Sequence, residues 1–262
     1  MFIYRRLILV ANYVEEKIGP VPEAWWKLEP SEFDYAAYEP NLVAARFKAS
    51  DVVACFSLAR LLLIESASLN NHVMRKDARI FYKASLLQSS LMHYISSWDL
   101  SWQVYWFKYI VRPNKKIVIT ERYYDKLSSK CNYRDLKEKL EGKGQTSVIE
   151  YLQSYNKDEF WKSLRKSYNY IKHSGAYNMR GVGINPRKGI FSINGKRPFL
   201  ISRHDFDVDE WTDKLIRYNN EFVSYFNNVI QEVSYDKAVM EFKSGSSNDE
   251  TLEMIRKLKN YT

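Results

Sequence analysis

Along most of the chain, apolar residues recur every three or four positions, the period of a helix with one buried face. Residues 49–74, "ASDVVACFSLARLLLIESASLNNHVM", are apolar on nearly every side, which predicts a central helix with Ser50 or Asp51 as its N-cap. A second long helix is predicted over 77–111, where Leu87, Leu91, Trp98, Trp102 and Trp106 keep the spacing and Arg112-Pro113 stops it. Shorter, charged helices follow through "YRDLKEKLEGKG", with Gly142 and Gly144 marking an end. The stretch "DEFWKSLRKSYNYIKHSG" opens on Asp158 and Glu159, acids suited to a helix N-terminus, and closes at Gly175. From Asp207 a last amphipathic helix is expected to run to about residue 243, then a linker and a short terminal helix within 244–262.

Residues 176–206 break this pattern. Four of the nine glycines fall there, and "GIFSINGKRPFLIS" has β-type residues on both sides of Asn194-Gly195, the signature of a hairpin near 189–202. The predicted fold class is therefore all-α: a single domain, an antiparallel helical bundle with a small β-hairpin inserted before the last helix.

Composition agrees, since 262 residues at 45% apolar and 15% aromatic can bury a large core. The opening "MFIYRRLILVANYVEEK" sets two arginines before an apolar run, but Asn12, Glu15 and Glu16 interrupt it and no small-residue cleavage site follows. The least charged stretch, 84–107, carries Ser85, Gln88, Ser96 and Asp99 among other polar groups that a bilayer would leave unsatisfied. A cytoplasmic protein with no membrane association is expected. Cys55 and Cys131 share neither metal-ligand nor redox spacing, so no disulfide, metal or cofactor is expected either.

Charge changes the picture more. The net charge is +9, yet residues 113–202 hold 19 basic against 8 acidic side chains, a local +11. Such clustering raises the local concentration of polyanions such as nucleic acid, although a solvated lysine-rich surface gives the same counts. Arg180, Arg187, Lys188, Lys196 and Arg197, in and before the predicted hairpin, and Lys172 on the preceding helix are the candidate RNA-binding cations.

On that preceding helix, seven steps of about 100° return within about 20° of the start, so Lys166, Asn169 and His173 share one face. Arg165 lies at its edge, while Phe160, Trp161, Leu164, Tyr168 and Ile171 make most of the opposite, buried side. Cleaving RNA without a metal requires a base for the ribose 2′-OH, an acid for the leaving oxygen and cations for the phosphate. A histidine serves either proton role, and Lys166, Lys172 or Arg165 can hold phosphate. The same residues also suit a plain helix end, where cations favour the C-terminal dipole and His173 caps.

"NYIKHSG", following an arginine and closing a helix of an aromatic-rich bundle, resembles the HEPN superfamily, and the layout of long helices with an inserted hairpin looks most like its Cthe_2314-like branch. The resemblance covers roughly residues 45–245. It implies an RNA-acting protein, commonly a homodimer and metal-independent endoribonuclease of bacterial defence or toxin–antitoxin systems. Other members are inactive modules that bind nucleic acid or a protein partner. The superfamily motif is an arginine, four to six residues, then a histidine, often with a polar residue just after the arginine. By that correspondence His173 matches the histidine and Asn169 the polar position. Arg165 has seven residues between it and His173, one more than the motif allows, whereas the six-residue spacing lands on Lys166 and the four-residue spacing on Tyr168.

Two other stretches have a plainer explanation. Trp98, Trp102 and Trp106 could stack bases, but their apolar register predicts core or a subunit seam. "RHDFDVDE" gathers His204 and three aspartates as a metal site might, yet Asp207 and Glu210 have the spacing of a capping box.

Overall fold

The computed structural model describes residues 13–31, 34, 38–68, 75–111, 121–175, 177–179 and 204–234. The predicted hairpin at 189–202 and the predicted terminal linker and helix at 244–262 lie outside these residues, as do Arg180, Arg187, Lys188, Lys196 and Arg197. Helices dominate: α1 (13–18), α2 (Pro40–Ser68), α3 (Lys76–Tyr105), α4 (Glu121–Ser128), α5 (Tyr133–Glu141), α6 (Thr146–Lys157), α7 (Glu159–Ser174) and α8 (Val208–Glu232). Among the described residues the only strands are β1 (Asn178–Met179) and β2 (Asp205–Phe206), a two-residue parallel bridge. The fold is all-α.

Helix α2 starts about ten residues before the predicted N-cap. Val43, Ala44, Ala45 and Ala49 are already buried, so the packed face extends back to Pro40, whose missing N–H costs nothing in a first turn. Ser50 and Asp51 are consequently mid-helix. Asp51 pairs with Lys48 at 2.6 Å and accepts from the Tyr124 hydroxyl at 3.2 Å instead of capping. Helix α3 passes into a π-turn over Trp106–Ile110, closed by Val111 N–H donating to the Trp106 carbonyl, and Val111 is extended just ahead of Arg112. Trp98, Trp102 and Trp106 are all buried, as core residues. Helix α8 ends at Glu232 rather than near 243, with Val233 and Ser234 N–H donating three residues back in a tightened last turn.

Contacts divide the chain into two compact units. One comprises Met1–Pro20, Phe56–Ile95 and Asp158–Glu221, the other Val21–Cys55, Ser96–Lys157 and Phe222–Thr262, so that α2, α3 and α8 each contribute to both. In the first unit, Phe56, Tyr94, Tyr218 and Trp161 form a chain of ring contacts. The buried Arg60 there donates to the backbone carbonyls of Ile18 and Gly19 and to Asn219 Oδ1. In the second unit, Leu136, Leu140, Val148, Ile149 and Leu152 bury the inner faces of α5 and α6, and Tyr225 stacks on Tyr151 while sharing a 2.7 Å hydrogen bond with Ser101. No described helix is long and apolar enough to cross a membrane.

The π-turn has a titratable consequence. It presents Lys108 Nζ and the Tyr109 hydroxyl to Glu232 Oε2, both at 2.6 Å. Burial alone would raise the Glu232 pKa, but hydrogen bonds from Lys108 and Tyr109 and the lysine charge hold it below the usual 4.5. A depressed carboxyl stabilises the fold above its unfolded pKa and stops doing so as pH falls through the folded value. Acid titration of stability should therefore show a loss below about pH 4.5 that Glu232→Gln removes. The expected amplitude is under ~1 kcal/mol, because a partly exposed pair is screened by water.

Candidate functional site

Helix α7 owes its start to Asp158, whose Oδ1 accepts from the Phe160 and Trp161 N–H groups at 2.9 and 3.1 Å. Its rotation is fixed by one face. Trp161 and Leu164 are each 1% exposed, and the Trp161 ring lies 4.8 Å from Tyr218 of α8. Trp161 Nε1 donates to Glu221 Oε2 at 2.7 Å, Arg217 Nε donates to Glu221 Oε1 at 2.7 Å, and the Arg217 guanidinium sits 3.9 Å from the centre of the Phe160 ring. With that face clamped, the opposite one must look to solvent. Lys166, Asn169, Lys172 and His173 are all exposed, while Arg165, Tyr168 and Ile171 are half-buried.

The stripe expected from helical spacing is thus present as a continuous exposed line ending on His173. Lys172 is drawn sideways, its ammonium 5.8 Å from the centre of the Tyr168 ring one turn earlier. The helix stops at Gly175, whose φ of 93° is a conformation that L-residues seldom adopt. A Cβ there would meet nothing within 4 Å, so only the backbone preference demands glycine.

After Gly175 the chain folds back on α7. The Tyr177 ring packs 4.6 Å from Tyr170, and its N–H donates to Gln88 Oε1 at 3.4 Å. Strand β1 then pairs with β2, setting Asn178 opposite Asp205 and Met179 opposite Phe206. Phe206 is fully buried and stacks on Trp211 at 4.9 Å, which anchors the bridge to the start of α8. The bridge brings His204, the residue before β2, edge-on to Tyr170 at 5.1 Å and to within 6.2 Å of Tyr177.

His204 is the residue that sequence reasoning placed elsewhere. In the chain it adjoins Asp205, Asp207 and Asp209, which suggests a metal cluster or, by the capping-box spacing, a helix start. In the fold Asp207 is a helix cap, its Oδ1 accepting from the Asp209 and Glu210 N–H groups at 3.1 and 3.2 Å. Glu210 Oε1 accepts from Lys214 Nζ at 2.6 Å. Among the described residues no group of three His, Cys, Asp or Glu side chains could hold a metal ion. Neither cysteine is in a disulfide, and burial pushes Cys131 up to about 12. A thiol so raised is a poor nucleophile at neutral pH.

Chemically, the described arrangement offers solvent-facing ammonium, amide and imidazole groups on one helical line, with a second imidazole beside it. A scan of protein-family models and searches of curated proteins and solved structures found no match to the chain.

Proposed function

We propose that this chain is a HEPN-like, RNA-acting protein that cleaves RNA without a metal, with His173 transferring a proton and Lys166 holding the phosphate. Asn169, between them on the same face, orients the phosphate or the ribose, and Arg165 and Lys172 extend the positive field. The observation that supports this reading is the clamped α7. Its apolar side is locked by Trp161, Leu164 and Glu221, so Lys166, Asn169 and His173 face solvent together. A pre-fixed helix face costs little reorganisation when substrate binds. The basic excess of residues 113–202 supports a polyanionic substrate, and the resemblance implies a twofold dimer that sets two such stripes across one cleft.

A second reading is a non-catalytic module that binds nucleic acid or a protein partner. It is favoured by Arg165, which stands one residue outside the motif spacing and is half-buried. The two readings separate in one experiment. Purified protein is incubated with RNA in EDTA, and the fragment ends are mapped. Cleavage is expected to leave 2′,3′-cyclic phosphate and 5′-hydroxyl ends. RNA retention without new ends would favour the module, and cleavage only on adding a divalent metal would reject the mechanism.

A further inference from the structure

We infer that His204 is the second proton-transfer group of the α7 site, so that His173 and His204 act as an acid–base pair. The inference rests on the ribonuclease reading above. Transesterification forms the O2′–P bond and breaks the P–O5′ bond, so one proton leaves the 2′-OH and one reaches O5′. His173 performs one of these transfers, and a second group is needed for the other. Neither Lys166 nor Asn169 suits that role, because an ammonium favours holding phosphate and a carboxamide does not titrate.

The geometry points to His204 for three reasons. First, its ring packs edge-on against Tyr170 at 5.1 Å. Tyr170 lies three residues before His173 and four after Lys166, spacings whose Cβ atoms are ~5–6 Å apart on a helix. His204 therefore borders the line from Lys166 to His173. Second, its backbone is held by the bridge of β1 with β2 and by buried Phe206, so the position is built into the fold. Third, His204 is exposed, as a group that must meet a substrate has to be. The titratable groups packed against it are Tyr170 on α7 and Tyr177 before β1, Asp205 follows it in the chain, and His173 and Lys166 lie one turn either side of Tyr170. Tyr170 is a positioning residue in this scheme, acting through its ring.

The test compares pH–rate profiles of wild type, His204→Phe and His173→Ala on a short RNA. His204→Phe retains a ring against Tyr170 and serves as the folding-safe variant, with an unchanged melting temperature as its control. Wild type should give a bell, since one imidazole must be neutral and the other protonated. His204→Phe should lower the rate by about 10²-fold or more and lose one limb of the bell. An RNA whose scissile O5′ is replaced by sulfur needs no acid, so rescue of His204→Phe on it makes His204 the acid, and loss on it makes His204 the base. Either result supports the pair. A His204→Phe protein that cleaves like wild type with an intact bell, while His173→Ala is inactive, overturns the role of His204 and leaves the ribonuclease reading standing. A wild-type protein that does not cleave RNA in EDTA overturns both.

Discussion

His173→Ala is expected to lower RNA cleavage by about 10²–10⁴-fold, the usual contribution of a positioned acid or base, while leaving the melting temperature nearly unchanged. The small structural effect follows from exposure, since His173 lies on the face of α7 turned away from Trp161 and Leu164. The cation series on the same helix is more discriminating. Lys166 is seven residues before His173, about 10.5 Å along the axis but nearly on the same face, so a phosphate can bridge them. Arg165 is eight residues away, about 12 Å, with its side chain leaning toward the N-terminus and half-buried. Lys166→Ala should therefore cost far more activity than Tyr168→Phe. Lys166→Arg should retain or raise it, because the guanidinium fork binds phosphate in two places. If Lys166→Ala cleaves normally and Arg165→Ala is inactive, Lys166 is not the phosphate cation and one supplied across a dimer replaces it.

The largest stability loss is expected from Arg60→Met, at about 1–3 kcal/mol. Arg60 is 7% exposed and meets no carboxylate at any of its described hydrogen bonds. Its guanidinium instead binds the carbonyls of Ile18 at 3.3 Å and of Gly19, and Asn219 Oδ1 at 2.8 Å. These carbonyls close the C-terminal end of α1, where the helix dipole is negative and Gly19 takes a φ of 60°. Asn219 and Asn220 add donors to the Ile18 and Lys17 carbonyls at 3.3 and 3.0 Å. Burial lowers the Arg60 pKa, yet an arginine keeps its charge, so these acceptors are what make a buried cation tolerable. Methionine fills similar volume but leaves the Gly19 carbonyl without its described donor, at about 1–3 kcal/mol if water cannot reach it, while the Ile18 carbonyl keeps the Asn219 amide and Asn219 Oδ1 keeps the Tyr94 hydroxyl. Urea unfolding should show a lower midpoint at unchanged slope, together with faster amide exchange over residues 13–18. Arg60→Lys should fall between, because one ammonium cannot span the same acceptors. A loss below ~0.5 kcal/mol for Arg60→Met would show that the carbonyls are satisfied by solvent instead.

The sequence alone determined the class of fold and the line of the stripe. Both are periodic properties. Apolar residues three and four apart must bury one helix face, and Lys166, Asn169 and His173 must share the other whatever the helix packs against. Local rules also predicted Asp158 as the start of α7 and Gly175 as its end, since cap and turn need only nearest neighbours. Boundaries set by distant packing were illegible. Asp51 looks like an N-cap until Val43 and Ala45 are seen buried ahead of it, and the end of α8 shows no break in the sequence at Glu232. The same holds for function. His204 is 31 positions beyond His173, and only the parallel bridge of β1 with β2 sets it beside Tyr170. Arg60 likewise reads as one cation in an apolar helix until the fold supplies the carbonyls of Ile18 and Gly19. Periodicity fixes which residues share a face, but only tertiary structure decides which faces and chain ends meet, because those contacts join residues with no local relation.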